Sequence, residues 1–171
     1  MIISLPTRHN TDSNEISNTR ALRTALALAP TPLASAAALV DGTPSGMIIG
    51  SFVGHSLEPA LVSISIQKTS TTWPLLRRAE HIGLSILTEA NRGALDHFYR
   101  PSAERFRDLD FDTDGTAILL PGAALRATTT LIDEVDVGDH ILAIARIERA
   151  EAATDSHRPL VFHRSTVTTT L

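Results

Sequence analysis

Cysteine is absent from this chain of 171 residues. Disulfides, thiolate catalysis, zinc–cysteine sites and cysteine-ligated iron–sulfur clusters are therefore excluded. Lysine is nearly absent too: the fifteen basic residues are fourteen arginines and Lys68. Long apolar runs are missing, since Leu33 to Val40 is only about a strand long, far short of the ~20 residues that span a bilayer. The start, Met1-Ile2-Ile3-Ser4-Leu5-Pro6, has no basic lead into a long apolar segment, so the cytoplasm is the expected compartment and no membrane the expected partner. A net charge of −4 and a pI near 5.9 weigh against a concentrated basic face, and no nucleic-acid partner is expected.

Several chemical signatures are also missing. The seven histidines include no His-x-x-x-His or His-Glu-x-x-His run, so no metal site is expected. There is no Gly-x-Ser-x-Gly elbow, no phosphate loop and no Gly-x-Gly-x-x-Gly; any dinucleotide is held outside a Rossmann crevice. Asp110, Asp112, Asp114 and Gly115 imitate the first half of a calcium loop. The twelfth position, where a bidentate glutamate belongs, is Pro121, and the run reads as a solvated acidic loop.

What is present is a globular composition, 43% hydrophobic and 20% charged, of a size for one domain. Residues 1–17 are mostly polar and unpatterned and read as a flexible arm; residues 18–171 form the domain. A short helix is expected over about 18–28, capped by Asn18 or Thr19 and ended by Pro30 and Pro32. Leu33–Val40 leads through Asp41-Gly42, a strong hairpin signal, and returns over Met47–His55. Leu61–Gln67 alternates Leu61, Ser63 and Ser65 against Val62, Ile64 and Ile66, the period of a half-buried strand. Trp73–Ala79 reads as a short helix with Thr72 as its cap, Ile82–Leu87 as a strand and Arg92–Phe98 as a second short helix. Ala124–Asp133 and His140–Ala150 pair around Val137-Gly138-Asp139, and Leu160–His163 is a last strand. Six or seven short strands with small helices between them predict a mainly antiparallel β-barrel.

One segment carries more. Gly42-Thr43-Pro44-Ser45-Gly46-Met47-Ile48-Ile49-Gly50-Ser51-Phe52 followed by Ser56-Leu57-Glu58-Pro59-Ala60-Leu61-Val62 resembles the flavin reductase-like family of split-barrel proteins. In the same order come Ser70-Thr71-Thr72-Trp73, Arg105-Phe106, Gly138-Asp139-His140 and Pro159-Leu160-Val161-Phe162-His163. Each motif is weak alone; five in the correct order over about 20–164 are not. The resemblance implies an antiparallel, Greek-key split β-barrel with short peripheral helices, assembled as a homodimer with FMN (or FAD) at or near the subunit interface. It implies hydride transfer from NADH or NADPH to flavin, supplying reduced flavin to a monooxygenase. The alternatives are a flavoprotein that keeps its FMN and reduces another acceptor, and a non-catalytic flavin-binding protein.

The site residues follow from that resemblance. Met47, Ile48, Ile49, Gly50 and Ser51 offer backbone donors to the ring, with Gly46 and Gly50 permitting close approach and Ser51 adding a hydroxyl. Gln67, Lys68, Thr69, Ser70 and Thr72 supply an ammonium and hydroxyls before a helix N-terminus, where a phosphate is expected. His140 is the expected catalytic residue, set where nicotinamide stacks, with Phe52 and Arg164 beside the substrate; Arg105 and Arg164 are candidates to meet a pyrophosphate. Asp139 reads as a turn-former. The chain departs from the family at Ile48, usually threonine, at Gly50, usually serine, at Ser85, a further expected cofactor contact where asparagine is common, and over 165–171, which replace a terminal Gly-x-Tyr. Two hydroxyls that bond flavin are thereby lost, which a flavin used as a diffusing substrate tolerates.

Overall fold

The computed structural model describes residues 18–154 and 157–170; the expected arm at 1–17 lies outside them. Helix α1 (Thr19–Leu26) starts where Asn18 accepts from the Ala21 amide at 2.8 Å, and it ends at Ala27, a turn before Pro30. Strands β1 (Thr31–Pro32) and β2 (Ala34–Val40) follow, and β2 turns tightly through Asp41-Gly42 into β3 (Thr43–Ile49). Both turn residues hold positive φ, 50° and 76°, as a two-residue hairpin turn requires. The expected strand over Met47–His55 breaks at Gly50–Phe52 and resumes as β4 (Val53–Leu57), which hairpins into β5 (Ala60–Gln67).

Helix α2 (Trp73–Leu76), β6 (Ile82–Ile86) and helix α3 (Ala94–Phe98) come next. The acidic run then folds into a hairpin of β7 (Asp112–Asp114) and β8 (Ala117–Leu119). Asp112 and Asp114 pair with arginines: Arg126 donates to Asp112 at 2.5 Å, while Asp114 pairs with Arg149 and accepts from Thr128 at 2.7 Å. Those donors hold the Asp114 carboxyl below the usual aspartate range, the Arg149 bond foremost. Strands β9 (Leu125–Val137) and β10 (His140–Ala152) are longer than expected because their hairpin runs to the Gly138-Asp139 turn. Strands β11 (Leu160–His163) and β12 (Thr166–Thr169) close the chain, the latter unforeseen because only Val167 in it is apolar.

The strands make an antiparallel nine-stranded sheet in the order β4-β5-β10-β9-β6-β2-β8-β7, with β3 paired to β2 alone, and a small sheet β1-β11-β12. The expected antiparallel, mainly β architecture is present. Val62, Ile64 and Ile66 of β5, Ala143 and Ala145 of β10, and Ala34, Ala36 and Ala38 of β2 form the main core, closed by Trp73 and Leu76. Strand β2 is buried on both faces from Ala34 to Ala38, and β3, β6 and β8 crowd it, which explains its run of small side chains. Leu33, Leu87, Leu95, Phe98, Leu120 and Leu160 form a second cluster under α3 and the small sheet. Among the described residues no helix is long and apolar enough to cross a membrane.

Packing at Gly83 is tight enough to test. A Cβ there would sit 2.0 Å from the Ile118 carbonyl oxygen, and backbone cannot step aside as a side chain can. Gly83→Ala is expected to cost about 3 kcal/mol or more in urea unfolding, whereas Gly54→Ala, with nothing within 4 Å of the new methyl, is expected to be near neutral. Equal midpoints for the two variants would contradict the packing described.

Candidate functional site

The site begins with a sheet edge inside the molecule. Strand β3 pairs only with β2, so every second residue of β3 directs its N–H and C=O away from the sheet. The Gly46 carbonyl is one such group, because it accepts from Arg105 Nη1 at 2.8 Å. Ile48, two residues on, shares that outward set. A pocket of about 890 Å³ opens along this edge, lined by Met47, Ile48, Ile49, Gly50 and Ser51 on one side and by Ser65, Ile66 and Gln67 on the other. Thr69, Ser70, Thr71, Thr72 and Arg105 supply a polar part of its lining, and Leu33, Leu95, Phe98, Tyr99, Phe162 and Val167 an apolar part. Thr31 and His140 complete the wall.

Much of the expected set is therefore brought together: Met47 through Ser51, Gln67, Thr69, Ser70, Thr72 and His140 share one cavity. Their local roles differ from expectation in several cases. Ser51 does not present a free hydroxyl. Its Oγ donates to the Ser65 carbonyl and accepts from the Ser65 amide, both at 2.9 Å, continuing the β4–β5 ladder where the backbone has broken away. Gly46 is small for the protein's own sake, since a Cβ would fall 2.8 Å from both Ala37 Cβ and Phe106 Cζ. Gly50 lines the pocket, and a Cβ there would come within 3.2 Å of Thr31 Oγ1.

The polar part of the lining is organised by Arg105 rather than by Lys68. Lys68 lies outside the pocket lining and pairs with Asp136 at 3.0 Å. The period of two explains it: Asp136 is in register with Ile141 and through it with Ile66, and Lys68, two residues beyond Ile66, falls on that face, opposite to Gln67. Arg105 bonds Gly46 O, Thr72 Oγ1 at 3.2 Å and Arg100 O at 3.3 Å, which fixes the guanidinium beside the Thr72 hydroxyl. The helix-terminus contribution is small, because α2 is four residues long and the Trp73 amide already donates to Ser70 Oγ at 3.2 Å. Ser70, not Thr72, thus caps α2. Trp73 Nε1 donates to Glu134 at 2.6 Å, and Arg77 pairs with the same carboxylate, so β9 holds α2 and its preceding turn in place.

Besides Lys68, three expected residues lie outside the pocket. Ser85 is fully buried and accepts from the Leu120 amide at 3.0 Å. Phe52 packs against the main core. Arg164 forms the β11–β12 turn with φ of 50°, and its amide donates to Ala27 O at 2.8 Å. The sequence reading missed Tyr99, Phe98, Leu95, Phe162, Val167, Leu33, Thr31, Ile66 and Ser65. Only Ser65 carried a signal, the alternation that puts it on the face of Gln67.

His140 begins β10 opposite Gln67. Its Nδ1 lies 2.7 Å from the Asp139 carboxylate, so Asp139 orients the ring as well as forming the turn. That hydrogen bond, and then the charge of the imidazole, hold the Asp139 carboxyl below the usual aspartate range. A lowered acid pKa means the pairing is fully present above the ordinary aspartate value of about 3.9 and is lost only as pH falls further, through the lowered value. A carboxylate only accepts, so in the neutral ring Nδ1 carries the proton and Nε2 is an acceptor.

The fold and this pocket define a split-barrel protein with a large cavity lined in part by hydroxyls and a guanidinium and in part by apolar side chains. The flavin reductase like domain matches residues 26–171, and the chain belongs to that family. It is 35% identical over 114 residues to the reductase component of the flavin-dependent trigonelline monooxygenase of Acinetobacter baylyi, covering 66% of this chain and 37% of that protein. It is 33% identical over 131 residues to the NADH:FMN oxidoreductase of Rhodococcus qingshengii, covering 73% and 68%. The chain thus spans little more than a third of the first relative's length. Among solved structures, nitrilotriacetate monooxygenase component B from Mycobacterium thermoresistibile shares the fold with a TM-score of 0.84, at 24% identity, over 89% of this chain and 86% of that one.

Arg105→Gln is expected to weaken FMN about tenfold more than riboflavin, since only FMN carries the phosphate and hydrogen bonds to charged groups contribute about 1.5–3 kcal/mol. Lys68→Ala is expected to leave the FMN-to-riboflavin ratio unchanged. Calorimetric titration of both ligands measures it, and the reverse pattern would return the phosphate to Lys68.

Proposed function

We propose that this chain is an NAD(P)H:flavin oxidoreductase that supplies reduced flavin to a monooxygenase partner. The observation that carries the reading is the unpaired β3 edge facing a pocket of about 890 Å³ whose lining is in part cationic and hydroxyl-rich. The donor set suits FMN. The Ile48 amide and carbonyl meet the hydrogen-bonding edge of a flat ring, Ile48 and Met47 give it an apolar wall, and Arg105 with Thr69 through Thr72 receives the phosphate. A bound flavin supplies the hydride acceptor, and reduced nicotinamide the donor. The protein's part is alignment: His140, clamped by Asp139, accepts from the carboxamide of the donor and fixes its face toward the ring. No protein acid is needed at the donor carbon.

The loss of side-chain hydroxyls at Ile48 and Gly50 favours a flavin that exchanges over one that stays. Backbone contacts survive such substitutions, while the extra bonds that would slow release do not form. This ranks the exchanging reductase above the resident flavoprotein and the non-catalytic binder. Its setting is the cytoplasm, where NADH and NADPH are held reduced.

The functional unit is a homodimer with the pocket at or near the interface. On one face of the long hairpin, Val135, Leu142 and Ser65 share one row, Asp133, Ile144, Ser63 and Val53 the next, and Val137, His140 and Gln67 the row at the pocket. An apolar stripe continuous with a binding site is the mark of a covered surface. Val135→Lys is expected to shift the protein from dimer to 18.4 kDa monomer in sedimentation velocity; a monomeric parent protein would contradict the assembly.

Steady-state NADH oxidation, with and without free FMN, tests the activity: turnover should require added flavin. His140→Ala is expected to lower kcat about tenfold or more with FMN affinity nearly unchanged. Unaltered kcat would remove His140 from the mechanism.

A further inference from the structure

Asp133, Asp136 and Asp139 of the β9–β10 hairpin are exposed, whereas the Glu134 side chain is only 18% exposed. Register explains its position. Glu134 lies opposite Ala143, and Ala143 opposite Ile64, so it shares a row that faces the main core. A carboxylate there is costly unless its oxygens are bonded. Its two partners come from α2 and the residue that ends it: Trp73 Nε1 donates to Oε1 at 2.6 Å, and Arg77 pairs with Oε2. Neither Glu134 nor Trp73 lines the pocket. Trp73, 2% exposed, reaches it through the backbone. Its amide donates to Ser70 Oγ at 3.2 Å, the Ser70 amide donates to the Gln67 carbonyl at 2.9 Å, and Thr72, the residue before it, accepts from Arg105 Nη1 at 3.2 Å. The seat of one indole ring thus sets where the hydroxyl turn and the guanidinium meet.

We infer that Glu134 is a positioning residue: through the Trp73 indole it holds the Ser70–Thr72 turn against Arg105, and so sets how strongly the site distinguishes a flavin with a phosphate from one without. This rests on the flavin reading above and deepens it by assigning that specificity to a carboxylate outside the pocket lining. A buried indole N–H keeps a partner, and a bond to a carboxylate is stronger than one to a neutral acceptor. Without Glu134 the ring is left with an unsatisfied donor, and it relieves that cost by moving. Thr72 and Ser70 move with it, because one is its chain neighbour and the other bonds its amide. The apolar wall at Met47 and Ile48 is built on β3 and stays.

The experiment is calorimetric titration of the whole chain with FMN and with riboflavin, in the parent and in Glu134→Ala, Glu134→Gln, Trp73→Phe and Arg77→Ala. Glu134→Ala is expected to weaken FMN about fivefold with riboflavin nearly unchanged. Glu134→Gln keeps an acceptor for the indole and is expected to stay close to the parent, as is Arg77→Ala, which leaves the indole bond intact. Trp73→Phe retains a buried ring without the N–H and is expected to match Glu134→Ala; it carries the test where that variant fails to fold. Emission from the chain's one tryptophan is a second readout, expected to shift to the red in Glu134→Ala and not in Glu134→Gln. Equal weakening of both flavins, no weakening of either, a Gln variant as weak as the Ala variant, or unshifted emission in Glu134→Ala overturns the inference. A parent preference for FMN that survives in Glu134→Ala overturns it alone and leaves the flavin site standing. A parent that binds FMN no better than riboflavin removes the phosphate from Arg105 and the inference with it.

Discussion

An unpaired strand edge inside a protein is a debt of hydrogen bonds, and the arrangement of this molecule follows from how that of β3 is settled. Buried backbone donors and acceptors are almost always paired, and an open edge invites a neighbouring strand. Here β4 swings away at Gly50–Phe52 to pair with β5, so β3 keeps one neighbour. The Ser51 hydroxyl bridges the break by imitating a peptide group toward Ser65. Arg105 takes the Gly46 carbonyl. What remains open at Ile48 faces the pocket. The binding edge is thus produced by the same divergence that shapes the sheet.

That origin explains which substitutions the family pattern tolerates. Ile48 and Gly50 have lost hydroxyls, yet the backbone at those positions is unchanged in what it offers. The side chain of Ile48 packs against the second apolar cluster, several of whose members line the pocket with it. Arg105 likewise serves two purposes. It supports the β3 edge and the Thr72 turn, and it brings positive charge to a part of the lining whose only other polar groups are neutral.

The fold was legible wherever one period dominated. The alternation in Leu61–Gln67 and the Asp41-Gly42 turn carry their geometry in the residue types, and both appear as read. Strand β12 and the β7–β8 hairpin were hidden because Thr166–Thr169 and Asp112–Asp114 are mostly polar, paired through backbone and arginine bonds rather than apolar burial. For the site, the strand face of Met47–Ser51 was readable and the cation was not. Lys68 drew attention as the lone lysine, although the strand period already placed it opposite Gln67. The apolar lining draws Tyr99 and Phe162 from segments about sixty residues apart in the chain, which no local pattern encodes.

The central claim is that the outward backbone of β3 is what a flavin ring bonds. Amide hydrogen exchange followed by NMR, with and without saturating FMN, addresses it at one atom. The account predicts that the Ile48 amide slows markedly on FMN addition while the Lys68 amide, already bonded to the Asp139 carbonyl at 3.0 Å, does not change. FMN binding that leaves the Ile48 amide exchanging at its free rate would contradict it.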